Sequence, residues 1–241
     1  MQYLRSVIYF VCMVATAIVY SVISLPTVVL PFEARYRFIR RWAWFNIWLL
    51  ERLVGLRYEV EGKENIPHGP FILMSKHQST WETYAFQKIF PPLVWVLKKE
   101  LLRVPFFGWG LALLEPIAID RKAGKQAMTQ VIEQGIARLN SGKVVVIFPE
   151  GTRMPAGKKG RYKIGGARLA VESGYPIVPV AHNAGEYWPR RGLLKKPGVI
   201  KVVIGEPIDP AGKTAEQLIE EVENFIESQM QRITTLAPAP Q

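Results

Sequence analysis

Two short stretches carry side chains able to do chemistry at neutral pH. In Ser75-Lys76-His77-Gln78-Ser79-Thr80-Trp81-Glu82 a histidine precedes a glutamate by five positions. An imidazole can take up a proton near neutrality, and a carboxylate on its second ring nitrogen sets its tautomer. On one continuous helix, side chains five apart point about 140° away from each other. The pair therefore requires His77 on a loop and Glu82 in the first turn of the helix that follows. The same residues spell a capping box, Ser79-x-x-Glu82, in which Glu82 accepts from the Ser79 N–H. By spacing alone the two readings are even. The second stretch is Phe148-Pro149-Glu150-Gly151-Thr152-Arg153. Gly151 lets the backbone approach a ligand, Arg153 can fork onto a phosphate, and Glu150 can order Arg153 or accept from a substrate hydroxyl. Lys158, Lys159, Arg161 and Lys163 follow, then Gly165-Gly166 at the start of a helix whose N-terminus suits an anion. A phosphate loop of the G-x-x-x-x-G-K-[ST] type does not fit. Five residues, not four, separate Gly151 from Gly157, and Lys159 stands where Ser or Thr is required. A third stretch, Ile119-Asp120-Arg121, offers Arg121 either as a phosphate ligand or as a surface partner of Asp120.

These stretches need a scaffold, and the pattern after Leu56 supplies one. Phe71–Met74, Leu93–Leu97, Pro116–Ile119, Val144–Phe148, Ile177–Val180 and Val199–Ile204 read as buried strands. Helices are expected near 80–90, 124–140, 164–173 and 214–232, the last from a stripe of Leu218, Ile219, Val222, Phe225 and Ile226. Alternation of this kind implies an α/β sandwich, in which loops at the carboxyl ends of strands collect the chemistry.

The N-terminal region is different. Between Arg5 and Glu33 no residue is charged, and Val7–Phe32 is long enough for a membrane anchor, since a bilayer core needs about 20 apolar residues in a helix. A cleaved signal peptide ending near Ala15-Thr16-Ala17 fits poorly, because the apolar run continues past that site. Pro26 and Pro31 interrupt the chain, so a hairpin dipping into one leaflet competes with a full span. Then Arg35, Arg37, Arg40 and Arg41 interleave with Trp42, Trp44 and Trp48, a composition suited to lipid headgroups. The competing reading is an amphipathic helix packed on the domain. The arginines place the following domain on the cytoplasmic side. Residues 1–55 are thus expected as a membrane-anchoring helical segment, 56–233 as the α/β domain and 234–241 as a disordered tail.

The net charge of +11 favours an anionic partner. Nucleic acid is set aside because no recognition motif accompanies the charge. Cys12 is the only cysteine, so no intrachain disulfide forms, and His68, His77 and His182 lack metal-ligand spacing. No G-x-S-x-G elbow offers a serine nucleophile.

Taken together, the stretches resemble the glycerolipid acyltransferase family, in particular its bacterial 1-acylglycerol-3-phosphate O-acyltransferase branch. The family's N-H-Q-S-x-x-D block corresponds to Lys76–Glu82, with glutamate in place of aspartate. Its proline-phenylalanine-glycine turn leading to I-D-R corresponds to Val104–Trp109 and Ile119–Arg121. Its F-P-E-G-T-R block is unaltered at Phe148–Arg153, and its V-P-V-like strand matches Ile177–Val180. The four blocks stand in order over roughly residues 60–205. The resemblance implies a single glycerolipid-acyltransferase-like domain that moves an acyl group from a thioester to the sn-2 hydroxyl of 1-acylglycerol-3-phosphate, giving phosphatidic acid. It implies His77 as general base, Glu82 as its orienting carboxylate, and Arg121, Glu150, Gly151, Thr152, Arg153 and Lys163 around the substrate. The donor would be acyl-CoA or acyl carrier protein, with no cofactor and no metal, at a bacterial cytoplasmic membrane. Two alternatives are an acyltransferase for another lysolipid, such as lyso-ornithine lipid, and a non-catalytic protein that binds anionic lipids.

Overall fold

The computed structural model describes residues 1–120 and 123–236. Its centre is a seven-stranded sheet in the order β1-β7-β6-β2-β5-β3-β4. The strands are β1 (Leu56–Glu61), β2 (Ile72–Ser75), β3 (Leu93–Lys98), β4 (Ile117–Ile119), β5 (Val144–Ile147), β6 (Ile177–His182) and β7 (Gly198–Ile204). Neighbours run parallel except β6 and β7, so β1 and β7 form an edge pair of opposite sense. The central strands are continuous apolar runs because both faces of the sheet are covered. β1, Leu-Arg-Tyr-Glu-Val-Glu, was not among the expected strands. It alternates instead, and Leu56, Tyr58 and Val60 turn inward from the sheet edge.

Successive strand residues feed two cores on opposite faces. On one face Leu73, Val146, Val178 and Val180 meet α1 (Gln2–Ser24), α2 (Phe32–Leu49) and α3 (Trp81–Ile89). On the other, Ile72, Met74, Val145 and Ile147 meet α5 (Lys125–Asn140), α6 (Gly165–Ser173) and α8 (Ala215–Ile233). Two short helices, α4 (Phe107–Ala112) and α7 (Ala184–Tyr187), complete the fold. The α/β architecture with an apolar N-terminal helix is thus the expected one, but residues 1–55 are not a separate appendage: Tyr9, Tyr36, Ile47 and Val54 belong to the same core as the sheet.

α1 and α2 form an antiparallel pair stitched by Tyr20 stacked on Phe38, by Trp42 Nε1 donating to Thr16, and by Tyr9 donating to Asn46. The exposed face of α1 is apolar, with Leu4, Val11, Val19 and Ile23 among its residues. α2 buries Tyr36, Ile39, Ala43 and Ile47 and exposes Arg37, Arg41, Trp44, Phe45 and Trp48. It is amphipathic, and packing on the domain coexists with an aromatic-basic outer face. Arg35 departs from the headgroup expectation. It is buried, and its guanidinium donates to Glu115 at 2.6 Å, because Glu115 sits at the turn before β4 among Arg35, Arg138 and Lys143. The tail boundary also shifts. Thr234 and Thr235 are held by the Glu186 carboxylate through hydroxyl bonds of 2.7 and 2.6 Å, so these two residues are fastened to α7. Residues 237–241 lie outside the described ones.

Candidate active site

β2 ends at Ser75 beside the ends of β5 and β6, and the loops leaving these three neighbours converge. His77 sits on the first loop and Glu82 in the first turn of α3, the placement their spacing requires. The Glu82 carboxylate is fully buried. Its Oε1 lies 2.9 Å from His77 Nδ1 and accepts the N–H groups of Gln78 at 3.0 Å and Ser79 at 2.8 Å. The capping and imidazole-pairing readings are therefore both satisfied by one carboxylate. Only half of a capping box forms, since the Ser79 hydroxyl accepts from Trp81 rather than from Glu82. Burial pushes the Glu82 carboxyl upward, but the nearby His182 and His77 imidazoles and the Ser79 N–H outweigh it and hold the group below its usual range.

The carboxylate at Nδ1 fixes the proton there and leaves Nε2 of neutral His77 with a lone pair. The ring stacks on Phe148 with centroids 3.8 Å apart. Its backbone is held at both ends: the N–H donates to Glu150 at 3.0 Å and the carbonyl accepts from Met154 N–H at 2.7 Å. The side chain is 15% exposed and opens on a cavity of about 680 Å³.

The cavity has two characters. Gly151, Thr152, Arg153, Lys163, Arg190 and Arg191 line it on the polar side. Arg190 also donates to the Arg153 carbonyl at 3.0 Å, joining the two arginine-bearing segments. Gly151 has φ +68°, and a Cβ there would come within 2.9 Å of Lys163 Nζ, so glycine lets that lysine lie across the loop. Gly165 and Gly166 at the start of α6 line the cavity too. The remaining wall is largely apolar. Trp42, Leu97, Leu111, Leu114, Met128 and Val131 contribute to it, and α1 closes it with Ala17, Tyr20, Ser21 and Ser24.

Glu150 does not face this space. It is buried, with one oxygen on the His77 N–H and the other 2.8 Å from Lys76 Nζ. Burial raises its carboxyl and the Lys76 ammonium opposes the rise. Arg121 lies outside the described residues, while its neighbour Asp120 pairs with Lys99. Sequence reasoning passed over four residues near the site. Arg190 and Arg191 stand in a Pro-Arg-Arg-Gly turn whose spacing signals no known site. Lys76 precedes His77 with no spacing of its own that signals a role. His182 is fully buried at the end of β6, accepts from Ala184 N–H at 3.3 Å and contacts the Lys76 carbonyl at 2.8 Å. It braces the His77 loop from behind, and burial holds its pKa below the ordinary value.

Comparison with known proteins bears on this arrangement. The acyltransferase family model matches residues 57–183, which include the loops that carry His77, Glu82, Arg153 and Lys163. The chain is 50% identical over 221 residues to the 1-acyl-sn-glycerol-3-phosphate acyltransferase of Pseudomonas aeruginosa, covering 91% of this chain and 86% of that one. It is 29% identical to the corresponding yeast enzyme from Saccharomyces cerevisiae over 80% of this chain and 65% of the other. The crystal structure of the 1-acyl-sn-glycerophosphate acyltransferase PlsC from Thermotoga maritima superimposes with a TM-score of 0.81 at 24% identity, covering 99% and 98% of the two chains, so the fold is shared end to end. The chain belongs to the acyltransferase family.

Proposed function

We propose that this acyltransferase moves an acyl chain from a thioester to the sn-2 hydroxyl of 1-acylglycerol-3-phosphate, with His77 as the general base. The observation that carries the reading is the His77–Glu82 pair at the mouth of a cavity that is arginine-rich on one side and apolar on the other. The relative from Pseudomonas aeruginosa is named a 1-acyl-sn-glycerol-3-phosphate acyltransferase, which supports the choice of acceptor. Neutral His77 takes the hydroxyl proton on Nε2 while Glu82 stabilises the imidazolium that forms. The alkoxide attacks the thioester carbonyl, the C–S bond breaks, and the departing thiolate takes the proton back from His77. Arg153, with Lys163, Arg190 and Arg191, holds the phosphate; the apolar wall takes hydrocarbon. Either acyl-CoA or acyl carrier protein would serve as donor, both being anionic. Glu150 acts from behind the loop rather than on the substrate.

The membrane reading fits a leaflet-embedded hairpin better than a spanning helix. α1 is tied to the domain at both ends: Gln2 and Ser6 bond the Lys195 backbone at 2.6 and 3.0 Å, and Ser21 and Ser24 are buried at the other end. A helix laid along the domain presents one apolar face to lipid instead of crossing it. The active domain then rests on the cytoplasmic side of the bacterial inner membrane.

The test uses kcat/KM on 1-acylglycerol-3-phosphate and on a phosphate-free lysolipid. His77→Ala is expected to lose about 10²-fold or more in turnover on the phosphate acceptor. Arg153→Ala is expected to impair the phosphate acceptor far more than the phosphate-free one, because the fork has nothing to hold in the latter. Equal fractional losses on the two acceptors would remove Arg153 from the phosphate site. A wild-type preference for the phosphate-free acceptor would transfer the assignment to another lysolipid, lyso-ornithine lipid among them.

A further inference from the structure

Lys76 stands next to the proposed base yet turns the opposite way, into the face of the sheet where Tyr162 and α8 pack. Its side chain is 1% exposed. The ammonium is shared between two carboxylates from distant parts of the chain, Glu150 Oε1 at 2.8 Å and Glu227 Oε1 at 2.7 Å. The Tyr162 hydroxyl donates to the same Glu227 oxygen at 2.8 Å, and its ring lies beside the ammonium, 5.9 Å from centroid to Nζ. A buried ion network of this size is costly to assemble and is weak evidence for stability on its own. It asks for a structural consequence, and the hydrogen bonds supply one. Glu150, held by Lys76, uses its other oxygen to fix the His77 N–H. The Lys76 carbonyl contacts His182, and its N–H donates to Val180.

We propose that Lys76, Glu227 and Tyr162 form a positioning network for His77: through Glu150 they tie the backbone of the reacting imidazole to α8, about 150 residues further along the chain. Lys76 is the counter-ion that lets Glu150 stay ionised in a buried place and accept the His77 N–H. Glu227 fixes Lys76, and Tyr162 fixes Glu227. None of the three lines the cavity, so none touches substrate. The inference rests on His77 being the base, and it extends that machinery to α8, which lies outside the stretch matched by the family model.

The test is a graded series of Tyr162→Phe, Glu227→Gln and Lys76→Met in the full-length protein. Turnover is measured in mixed micelles with oleoyl-CoA and 1-oleoylglycerol-3-phosphate, alongside thermal melts and His77→Ala. The expected result is a fall in kcat that deepens along the series to about tenfold to a hundredfold in Lys76→Met, the scale of a misplaced catalytic group. KM for both substrates is expected to stay within about twofold, since the groups that bind substrate are untouched. Adding Glu150→Gln to Lys76→Met is expected to recover part of kcat. A neutral amide needs no counter-ion and still accepts the His77 N–H, whereas damage from lost packing would not be reversed. Should Lys76→Met fail to fold, Glu227→Gln and Tyr162→Phe carry the same kcat-against-KM test. Wild-type kcat in the folded variants would overturn the network, as would a change confined to KM or a double variant no faster than Lys76→Met. Full turnover in His77→Ala would instead overturn the base on which the network acts.

Discussion

At the scale of residues, the site depends on one carboxylate meeting several needs at once. Glu82 accepts from two backbone N–H groups as well as from His77, so the loop conformation and the imidazole tautomer cannot vary independently. His182 braces the same loop and leads to a pH prediction. Its folded-state pKa is depressed, burial being the main cause, below the ordinary 6.5. The unfolded chain therefore takes up the proton first. The stability that depends on neutral His182 is complete above about pH 6.5 and declines as pH falls below it. Glu82, also depressed, keeps its contribution until lower pH, below the usual carboxylate value of 4.5, so the two windows separate. Urea midpoints at pH 7.5 and 5.5 check this. Wild type is expected to lose stability between them, and His182→Gln to lose less, because an amide donates to the Lys76 carbonyl without titrating.

At the scale of elements, the apolar cavity wall depends on a tight turn before α4. Phe106 takes φ +61°, a conformation unfavourable for a bulky residue. A Cβ on Gly108 would come within 2.3 Å of the Leu102 carbonyl oxygen. Backbone cannot yield as a side chain does. Gly108→Ala is thus expected to lower stability by about 1–3 kcal/mol, the range for forced overpacking. It should also displace Leu101 and Phe107, which line the cavity. Thermal melts and KM for the acyl donor are the measurements, and a wild-type melt with unchanged KM would show that the turn has room to adjust. The turn was visible in the sequence only as a motif, because six residues of helix are too short for a periodic signal. β1 had a readable alternation but sits where the apolar N-terminal region ends, and its three charged residues concealed it. The long helices and the central strands were legible because both cores impose their periods on the sequence over many residues.

At the scale of the whole molecule, α1 is part of the enzyme body as well as the proposed membrane contact. It closes the cavity through Ala17, Tyr20, Ser21 and Ser24 and shares a core with the sheet through Tyr9. Deleting residues 1–31 is therefore expected to do more than release the protein from membranes. It removes a cavity wall and leaves apolar surface on α2 uncovered, so loss of turnover and aggregation in the absence of detergent are expected. Sedimentation and acyl transfer by the truncated chain decide the matter. A monomeric, active product would show that α1 anchors and nothing more.

The sequence by itself determined the α/β class and the central strands and longer helices between β2 and α8, and it singled out His77, Glu82 and Arg153 as candidates, because strand and helix periods and short chemical motifs are local properties. It also showed that an apolar N-terminal segment precedes a basic domain. What it left open was which of these residues meet. Whether Glu82 caps a helix or orients an imidazole was undecided by spacing and is resolved by a loop geometry that allows both. That Glu150 points away from the cavity, that Arg35 turns inward to Glu115, and that Lys76 reaches Glu227 on α8 are pairings across tens to more than a hundred positions. Such contacts depend on strand order and on which face of the sheet each helix covers, so only the tertiary structure could decide them.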